Sequence, residues 1–384
     1  MCAHILKQLS NIVWSFATLE ASGIEDLLLL ISEKCSLVIL QLNTQELSNL
    51  VWAVAKLKFF NKNLMTLAAD AVIKNIKLCF PQALANITWA YATLGVRDDL
   101  LFNAIASAVC GYEACLVSRD IAQITWAFAR QKQSFDDIEI PSLFLQNILA
   151  CTSKKLTQFN AVDTIETMWG LGHLKYIAND LYYVINDTLS NLAARLDDLV
   201  DDLSVLDVAF AFSAVVAASS KNVSFTGLGE SFSSPFPLFF SLSNCSSSPG
   251  CITNIHLFFR LLKRARQLFS MQQLGGQSVA LIGWAVAQIY ITIIAEQSKL
   301  KLKGLRKFCL AWMLQVTNTV EQLNWRSLGH VDFFCHTMHL KGDTYQDLLL
   351  ALQQHATTIL PELTSLCLQV GCSFILIVCF PLIY

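Results

Sequence analysis

Apolar and polar residues recur along most of the chain with a spacing of three to four, which predicts amphipathic α-helices. The clearest segments share one phrase, which reads LSNIVWSFATL from Leu9; near-copies begin at Leu47, Leu84 and Ile121, and a looser copy begins at Thr164. No stretch keeps the two-residue alternation of a β-strand for long. The pattern therefore predicts an all-α fold.

The phrase recurs at a nearly constant interval. Tryptophan occupies its central position in six copies and phenylalanine in two weaker ones: Trp14, Trp52, Trp89, Trp126, Trp169, Phe210, Trp284 and Phe333. Successive positions are 38, 37, 37, 43, 41, 74 and 49 residues apart. A period in the thirties to forties is typical of two-helix repeats that pack only on their neighbours. We therefore predict an α-solenoid of about eight two-helix repeats. The interval of 74 indicates one degraded or interrupted unit.

The positions inside the phrase predict how its helix packs. At about 100° per residue, the residues five before, two before and two after the tryptophan share one stripe, and the tryptophan points roughly 160° away from it. In the second copy the stripe is Leu47, Leu50 and Val54, and the positions one and three after the tryptophan are Ala53 and Ala55. We therefore expect an inner helix with apolar partners on opposite sides and small residues where the next helix approaches.

Changes in composition divide the chain into four regions. Residues 1–218 hold six repeat units, and 219–250 is a low-complexity insert rich in Ser, Phe, Pro and Gly. Residues 251–360 hold degenerate repeats with a basic segment, and 361–384 is an apolar tail. The insert is interpreted as a disordered loop or as an intervening sequence retained in error. For the tail, a membrane anchor, a buried end segment and a wrongly predicted terminus remain open, although a membrane partner is not expected.

Charge is distributed unevenly along the chain. Hydrophobic residues make up 54% of the sequence and charged residues 15%, which suits helices buried on more than one side. The net charge is -2, but residues 1–218 carry 15 Lys and Arg against 22 Asp and Glu, whereas 251–310 carry nine against one. Only the second of these segments has the charge expected of a phosphate-binding surface.

The number and spacing of the cysteines indicate the cellular compartment of the protein. Thirteen cysteines without a regular spacing indicate reduced, mostly buried thiols of an intracellular protein. No secretory signal or Arg-rich leader precedes the first repeat. The sequence therefore predicts either a cytosolic protein or a chain whose true N-terminus is missing.

The phrase Leu-x-Asn-[Ile/Leu]-x-Trp-[Ala/Ser]-x-Ala, repeated at 37 to 38 residues, resembles the octotricopeptide and heptatricopeptide-like repeats of organellar RNA-binding proteins. It is most similar to the leucine-rich repeats that precede the RAP domain in FAST-kinase-like proteins. The resemblance is strongest over residues 9–132, weaker to about 216 and weakest over 251–360. It implies an α-solenoid acting on mitochondrial RNA in processing, stability or translation. A C-terminal RAP domain is not found, so the resemblance does not extend to a nuclease-like activity.

The position three residues before the tryptophan is polar in six repeats. These residues are Asn11, Asn49, Asn86, Gln123, Glu166 and Asp207, and the last two repeats carry Leu281 and His330. A polar side chain within an apolar helix requires a hydrogen-bond partner. One interpretation is a ladder in which each amide bonds a backbone group of the adjacent repeat. The other is RNA recognition, in which one side chain per repeat contacts one base edge.

The basic segment is a second candidate surface. One group is spaced to share a helix side: Arg260, Lys263, Arg264 and Arg266. A second group follows one hairpin later: Lys299, Lys301, Lys303, Arg306 and Lys307. As contacts to RNA phosphates, they predict strongly salt-dependent binding. The alternative is a solvated helix face without a ligand.

Two further clusters contain residue types that bind metal ions. The first consists of His330, Cys335, His336 and His339, and the second of Asp197, Asp198, Asp201 and Asp202. The side chains of the first cluster point in different directions around one helix, and the second cluster is expected to be an exposed acidic surface. Neither cluster therefore predicts a metal site. Gly227 and Gly229 follow no strand and predict no nucleotide loop. Since no nucleophile has an oriented base, we expect no enzyme and no cofactor.

These patterns together predict a non-catalytic helical-repeat protein that binds single-stranded organellar mRNA or rRNA, with ribonucleoprotein components as further partners and no small-molecule substrate. The alternative is an armadillo-like scaffold for protein–protein interaction, which needs no nucleic acid. If the basic segment lies on the same face as the polar position, RNA binding is favoured. If it lies on the other side, the scaffold function is favoured. A RAP-type nuclease would require sequence beyond Tyr384.

Overall fold

The described backbone is helical wherever it has regular structure. A computed structural model describes residues 2–37, 39–135, 137–175, 179–219, 255–271, 275–296 and 303–370. These residues form sixteen α-helices, six short 3-10 helices and no strand, which confirms the all-α prediction. They group into two compact units, one through Leu192 and the other from Ala193 onward.

Helices that carry the phrase alternate with helices that follow it. The first unit contains α1 (Cys2–Thr18), α2 (Glu25–Ser36), α3 (Thr44–Lys56), α4 (Lys62–Lys74), α5 (Pro81–Leu94), α6 (Asp99–Val109), α7 (Ser118–Ser134), α8 (Ser142–Lys155) and α9 (Ala161–Leu174). Helix α10 (Tyr182–Leu199) crosses the boundary between the units. The second unit contains α11 (Val205–Ser219), α12 (Ile255–Ser270), α13 (Gly276–Glu296), α14 (Lys303–Asn318), α15 (Trp325–Thr337) and α16 (Asp343–Val370).

In the first unit the odd- and even-numbered helices form two separate rows. Helices α1, α3, α5, α7 and α9 each contact the next member of that series, and α2, α4, α6 and α8 do the same. Every odd helix up to α7 also contacts the even helix that follows it. The phrase helices therefore pack side by side as one row, against a second row made of the helices between them.

The aliphatic stripe of the phrase faces the even-numbered row. The ring of Phe128 on α7 lies 5.1 Å from that of Phe102 on α6 and 4.3 Å from that of Phe144 on α8. On the same stripe of α5, the Tyr91 hydroxyl donates a hydrogen bond to the backbone oxygen of Met65 on α4. The stripe positions thus join each phrase helix to the even helices beside it, as their spacing predicts.

Small residues follow the tryptophan where neighbouring phrase helices approach. Ala53, Ala90 and Ala127 are fully buried at this position. In α9 the position is Gly170, where an added Cβ would stand 2.9 Å from the backbone carbonyl carbon of Thr125 on α7. Because real Cβ atoms do not come so close, the approach of α7 explains the small residue.

Helix ends follow the capping chemistry expected from the sequence. Asn43 and Glu46 form a capping box at α3: the Asn43 side chain accepts from the Glu46 N–H, and the Asn43 N–H donates to the Glu46 carboxylate, both at 2.9 Å. Helix α5 begins at Pro81 and ends at Gly95, whose φ of 65° is left-handed. Local residues therefore fix where the phrase helices start and stop.

The second unit continues the same pairing across the insert. Helices α11, α13 and α15 contact in succession, as do α12, α14 and α16. Helix α11 contacts both α12 and α13, although residues 220–254 separate α11 from α12. The interval of 74 therefore contains an interruption within one helix pair, and the sixth pair predicted for residues 1–218 has its second helix after the insert.

Several sequence predictions fall largely outside the described residues. Of the insert 219–250, only Ser219 is described, and of the tail 361–384, only the part through Val370, where α16 ends. Among the described helices, none combines the length and the apolar character needed to cross a membrane.

Candidate nucleic-acid interface

Each phrase helix from α3 to α9 has one stripe that the even row does not cover. It consists of the residues seven before, three before, at and four after the tryptophan, which fall on one side of a helix. We call these residues the open face: Gln45, Asn49, Trp52, Lys56, Gln82, Asn86, Trp89, Thr93, Arg119, Gln123, Trp126, Arg130, Val162, Glu166, Trp169 and His173. Nearly every other residue of α3 and α5 is buried, so the open face is the surface that these helices offer to a ligand.

The tryptophans lie on the open face and contact each other between repeats. The rings of Trp52 and Trp89 are 6.3 Å apart, and those of Trp126 and Trp169 are 6.2 Å apart. In α1, Trp14 is 44% exposed, whereas Trp126 in α7 is 1% exposed. The indoles thus form aromatic surface that is accessible at α3 and α5 and closed at α7 and α9.

The polar position three residues before the tryptophan does not form a backbone ladder. Asn49 Oδ1 accepts from Gln45 Nε2 at 2.8 Å within α3, and Asn86 Nδ2 donates to Ser48 Oγ of the preceding repeat at 3.4 Å. Within the described part of the chain, the side chains of Gln123 and Glu166 have no hydrogen-bond partner. The ladder of amide-to-backbone hydrogen bonds is therefore absent among these residues. The side chains of Gln123 and Glu166 keep hydrogen-bonding groups that no described residue satisfies.

Glu166 differs from the amides at the same position of the other repeats. Burial, together with the smaller effect of Asp163, raises the pKa of its carboxyl to about 7, although Arg119 acts to lower it. A carboxyl with this pKa is partly protonated near neutral pH and can then donate as well as accept a hydrogen bond. The fifth repeat therefore presents a group whose hydrogen-bonding character changes around neutral pH.

Sequence reasoning missed two polar residues that continue the open face of α7. Arg130 and Gln133 lie one and two turns beyond Trp126 on the same side of the helix. In the described structure, neither side chain has a hydrogen-bond partner. Their spacing of four and seven residues from the tryptophan is the signal that could have identified them.

The Gln133 amide and the Trp126 indole N–H are unsatisfied where water does not reach, whereas Arg130 is half-buried. Both polar atoms of the Gln133 amide are buried without a partner, and so is Trp126 Nε1. Burial lowers the pKa of the Arg130 guanidinium, and no carboxylate offsets this effect. An unsatisfied buried polar group costs about 1–3 kcal/mol, so the polar atoms of Trp126 and Gln133 offset part of the stability that the packing of these side chains contributes.

Charge on the open face is opposite in sign to that of the region that contains it. Glu166 is the only acid among the open-face residues, which also include Lys56, Arg119 and Arg130. The described acids of the first unit otherwise lie on even-numbered helices, in turns, or at the first turn of phrase helices, as Glu46 does. An acidic composition therefore does not prevent this surface from attracting an anion.

Two other predicted base-reading residues have different environments. Asn11 is exposed on α1. In the second unit, Asp207 caps α11: its carboxylate accepts from the Ser204 N–H at 3.0 Å, and Ser204 Oγ accepts from the Asp207 N–H at 3.3 Å. The carboxylate of Asp207 thus stabilises a helix end.

Two arginines of the basic segment have partners within the second unit. Arg260 donates to the backbone oxygen of Asp197 at 2.6 Å and to the Asp201 carboxylate at 2.7 Å. Arg264 donates twice to the backbone oxygen of Leu203, at 3.1 and 2.8 Å. These side chains join α12 to the segment before α11, and two of the aspartates interpreted as an exposed acidic surface serve as their partners.

The remaining basic residues lie on even-numbered helices. Lys263, Arg306 and Lys307 are exposed and Arg266 is half-buried, on α12 and α14. Lys299 and Lys301 lie outside the described residues, as does the side chain of Lys303. The polar positions lie on the odd-numbered helices, so the described basic residues and the polar positions of the second unit belong to different rows.

Metal-binding residue types do not converge in the described part of the chain, where no group of three His, Cys, Asp or Glu side chains could hold an ion. Five of the seven free cysteines described are buried. Burial raises the pKa of the Cys335 thiol to about 12, which keeps it protonated and unreactive at neutral pH.

Comparison with known proteins returns no relative. No protein-family model matches the chain, and no curated protein matches it. The likeness of the phrase to organellar RNA-binding repeats stays a prediction, and the candidate interface rests on the geometry of the open face.

Proposed function

We propose that the protein is a non-catalytic helical-repeat protein whose first unit binds single-stranded RNA along the open face. In this proposal the eight helix pairs continue as one α-solenoid with the RNA on its odd-numbered row. The observation that carries it is the juxtaposition of a hydrogen-bonding side chain and an indole on one stripe of each phrase helix, which is accessible at α3 and α5. Unpaired bases stack on aromatic rings and offer their edges to amides and carboxylates.

The local charge supports the same ligand. Arg119 and Arg130 can contact backbone phosphates, as can Lys56 in exchange for its exposed ion pair with Glu20, while Asn49 and Asn86 face base edges. A mitochondrial location, and a role in processing or stabilising mRNA or rRNA, are what the resemblance of the phrase implies. A fluorescently tagged chain co-imaged with a mitochondrial marker tests the location separately from the binding.

The second candidate function is a scaffold for protein–protein interaction. It is favoured by one observation: the described basic residues of the second unit lie on the even-numbered helices, away from the row that carries the polar positions. The basic segment therefore adds nothing to RNA binding at the open face, and the proposal depends on the first unit.

Amide substitutions of matched type separate the two functions. One variant of the full chain carries Asn49→Ala, Asn86→Ala and Gln123→Ala. The control carries Asn63→Ala, Asn103→Ala and Gln146→Ala, which remove the same groups from exposed positions of α4, α6 and α8. Binding of labelled single-stranded RNA is measured by fluorescence anisotropy at fixed salt concentration.

RNA binding by the open face predicts a clear difference. The first variant should bind about tenfold to a thousandfold more weakly, because each of three lost hydrogen bonds contributes about 0.5–1.5 kcal/mol, and the control should bind like the unmodified protein. Equal losses in both variants would place the RNA elsewhere. Absence of RNA after crosslinking of the unmodified protein in cells, with specific protein partners recovered, would favour the scaffold.

A further inference from the structure

Helix α14 exposes a stripe that combines a cation with leucines. Lys307, Leu310 and Leu314 follow each other at spacings of three and four residues, which places them on one side of the helix. We call these residues the α14 stripe; it lies opposite the buried Trp312 and Val316. Leu310 is 45% exposed and Leu314 is 57% exposed. Leucines scattered singly over a surface are ordinary, whereas two that lie one turn apart form continuous apolar surface.

Helix α2 exposes the complementary combination of acids and leucines. Asp26, Leu30 and Glu33 are exposed on one side of the helix, at spacings of four and three residues, and form the α2 stripe. Leu27 and Leu29 flank this stripe and are also exposed. Helix α2 contains three acids and one base, whereas α14 contains three bases and no acid. The two helices therefore offer apolar surface with opposite charge.

The other even-numbered helices have a different outer side. Helix α4 exposes Asn63, Thr66 and Asp70 on the side opposite its buried residues. Helices α6 and α8 each expose a single leucine, which is Leu100 in α6 and Leu143 in α8. Among the described side chains of the even-numbered helices, only α2 and α14 expose more than one leucine. Surface of this kind is thus confined to two helices of opposite charge.

The charged residues of both stripes are available to a partner. Asp26, Glu33 and Lys307 form no ion pair with another described residue. The stripes also match in spacing, since Glu33 lies three residues from Leu30, and Lys307 lies three residues from Leu310. An antiparallel arrangement of the two helices therefore brings acid to cation and leucine to leucine in a single register.

We infer that the α14 stripe of one copy of this chain binds the α2 stripe of a second copy. The chain itself supplies the acidic, leucine-bearing helix that the α14 stripe fits. Contact between leucines provides the affinity, and the contact between acid and cation selects the partner and its direction. Because the two stripes differ, the contact is heterologous, so copies join into a ring or a linear chain. Both stripes belong to even-numbered helices, so the inference is independent of RNA binding by the open face.

Leucine substitutions test whether the stripes bind each other. The full chain is treated with nuclease so that RNA cannot join copies, and its mass is measured by sedimentation velocity over a series of concentrations. One variant carries Leu310→Gln and Leu314→Gln. The control carries Leu100→Gln and Leu143→Gln, which make the same changes at exposed positions of α6 and α8.

We expect the unmodified protein and the control to associate equally. The variant should associate at least about tenfold more weakly, because apolar contact area is lost. An unmodified protein that stays monomeric at every concentration, or equal association of all three proteins, would overturn the inference.

Charge reversal tests which stripe binds which. Lys307→Glu brings two acids together in the proposed contact, and Glu33→Lys brings two cations together, so each variant alone should associate more weakly at low salt. An equal mixture of the two should regain the association, since α2 of either variant then meets opposite charge on α14 of the other. A mixture no stronger than its components would contradict this pairing. If the unmodified protein is monomeric and binds phosphatidylserine vesicles through Lys307, the second copy is rejected in favour of a lipid surface.

Discussion

The open face of the first unit and the basic segment of the second unit reverse the expectation from composition. The first region is acidic overall, yet three cations and one acid lie on its open face. The second region is strongly basic, yet Arg260 and Arg264 bond to carbonyl and carboxylate oxygens of their own unit. The net charge of a segment does not determine the sign of a particular surface, because each helix distributes its charged residues between solvent, partners and ligands.

The largest expected effect concerns the tryptophan position, where the accessible and closed parts of the odd row differ. Trp126→Ala should lower the free energy of unfolding by about 3–5 kcal/mol, since a buried aromatic side chain is lost. Trp14→Ala, the same change at the same position of the first repeat, should cost much less, because Trp14 is 44% exposed. Urea unfolding followed by far-UV circular dichroism measures both. Equal losses would contradict the difference in burial.

The second prediction is that ionisation of Glu166 on the open face lowers the free energy of unfolding. Below its ordinary pKa of 4.5 both states are protonated; as the pH rises from there through about 7, the unfolded state ionises first and the folded state loses stability. Glu166→Gln should therefore stabilise the protein by up to about 3 kcal/mol near pH 8, and by nothing near pH 4. Chemical unfolding at a series of pH values gives this difference, and a gain that does not vary with pH would contradict it.

Glycine substitutions on odd-numbered helices test how closely neighbouring helices approach them in the two units. Gly283→Ala should cost about 1–3 kcal/mol because the new Cβ would lie 2.6 Å from the Trp312 ring. Gly170→Ala should have a similar cost, since Thr125 approaches it equally closely. Gly329→Ala, with no atom within 4 Å, should instead raise the free energy of unfolding by about 0.5–1 kcal/mol, the difference in helix propensity. Destabilisation by all three would show that helix approach is not the reason for glycine.

The smallest effect distinguishes two neighbours in the basic segment. Arg264→Gln should cost about 1–2 kcal/mol, because the Leu203 carbonyl loses two donors. Lys263→Gln should stay within about 0.5 kcal/mol, since that side chain is exposed. The free energies of unfolding of both variants are compared at the same salt concentration. A larger loss for Lys263→Gln would restore the basic segment as one functional surface.

Much of the fold is readable from the sequence, because the features that determine it are local. The capping pair Asn43 and Glu46, the stripe that includes Phe128 and the small residue after each tryptophan all act within one helix or between adjacent repeats. The partners of Arg264 and the missing partners of Gln133 could not be predicted, since they depend on which distant backbone atoms a side chain meets. Trp14 and Trp126 are the same residue type at the same position of the phrase, and only the structure shows that their exposed fractions differ.

The place where the insert interrupts the repeats determines how much of the packing it disturbs. Residues 220–254 enter between α11 and α12, at the turn within one helix pair, and α11 still contacts its neighbours in both rows. Closing a longer flexible connection costs only about 0.6 kcal/mol for each doubling of its length. An insertion between the two helices of a pair therefore leaves the packing of both rows intact, while the same insertion within a phrase helix would shift every residue after it out of register with both rows.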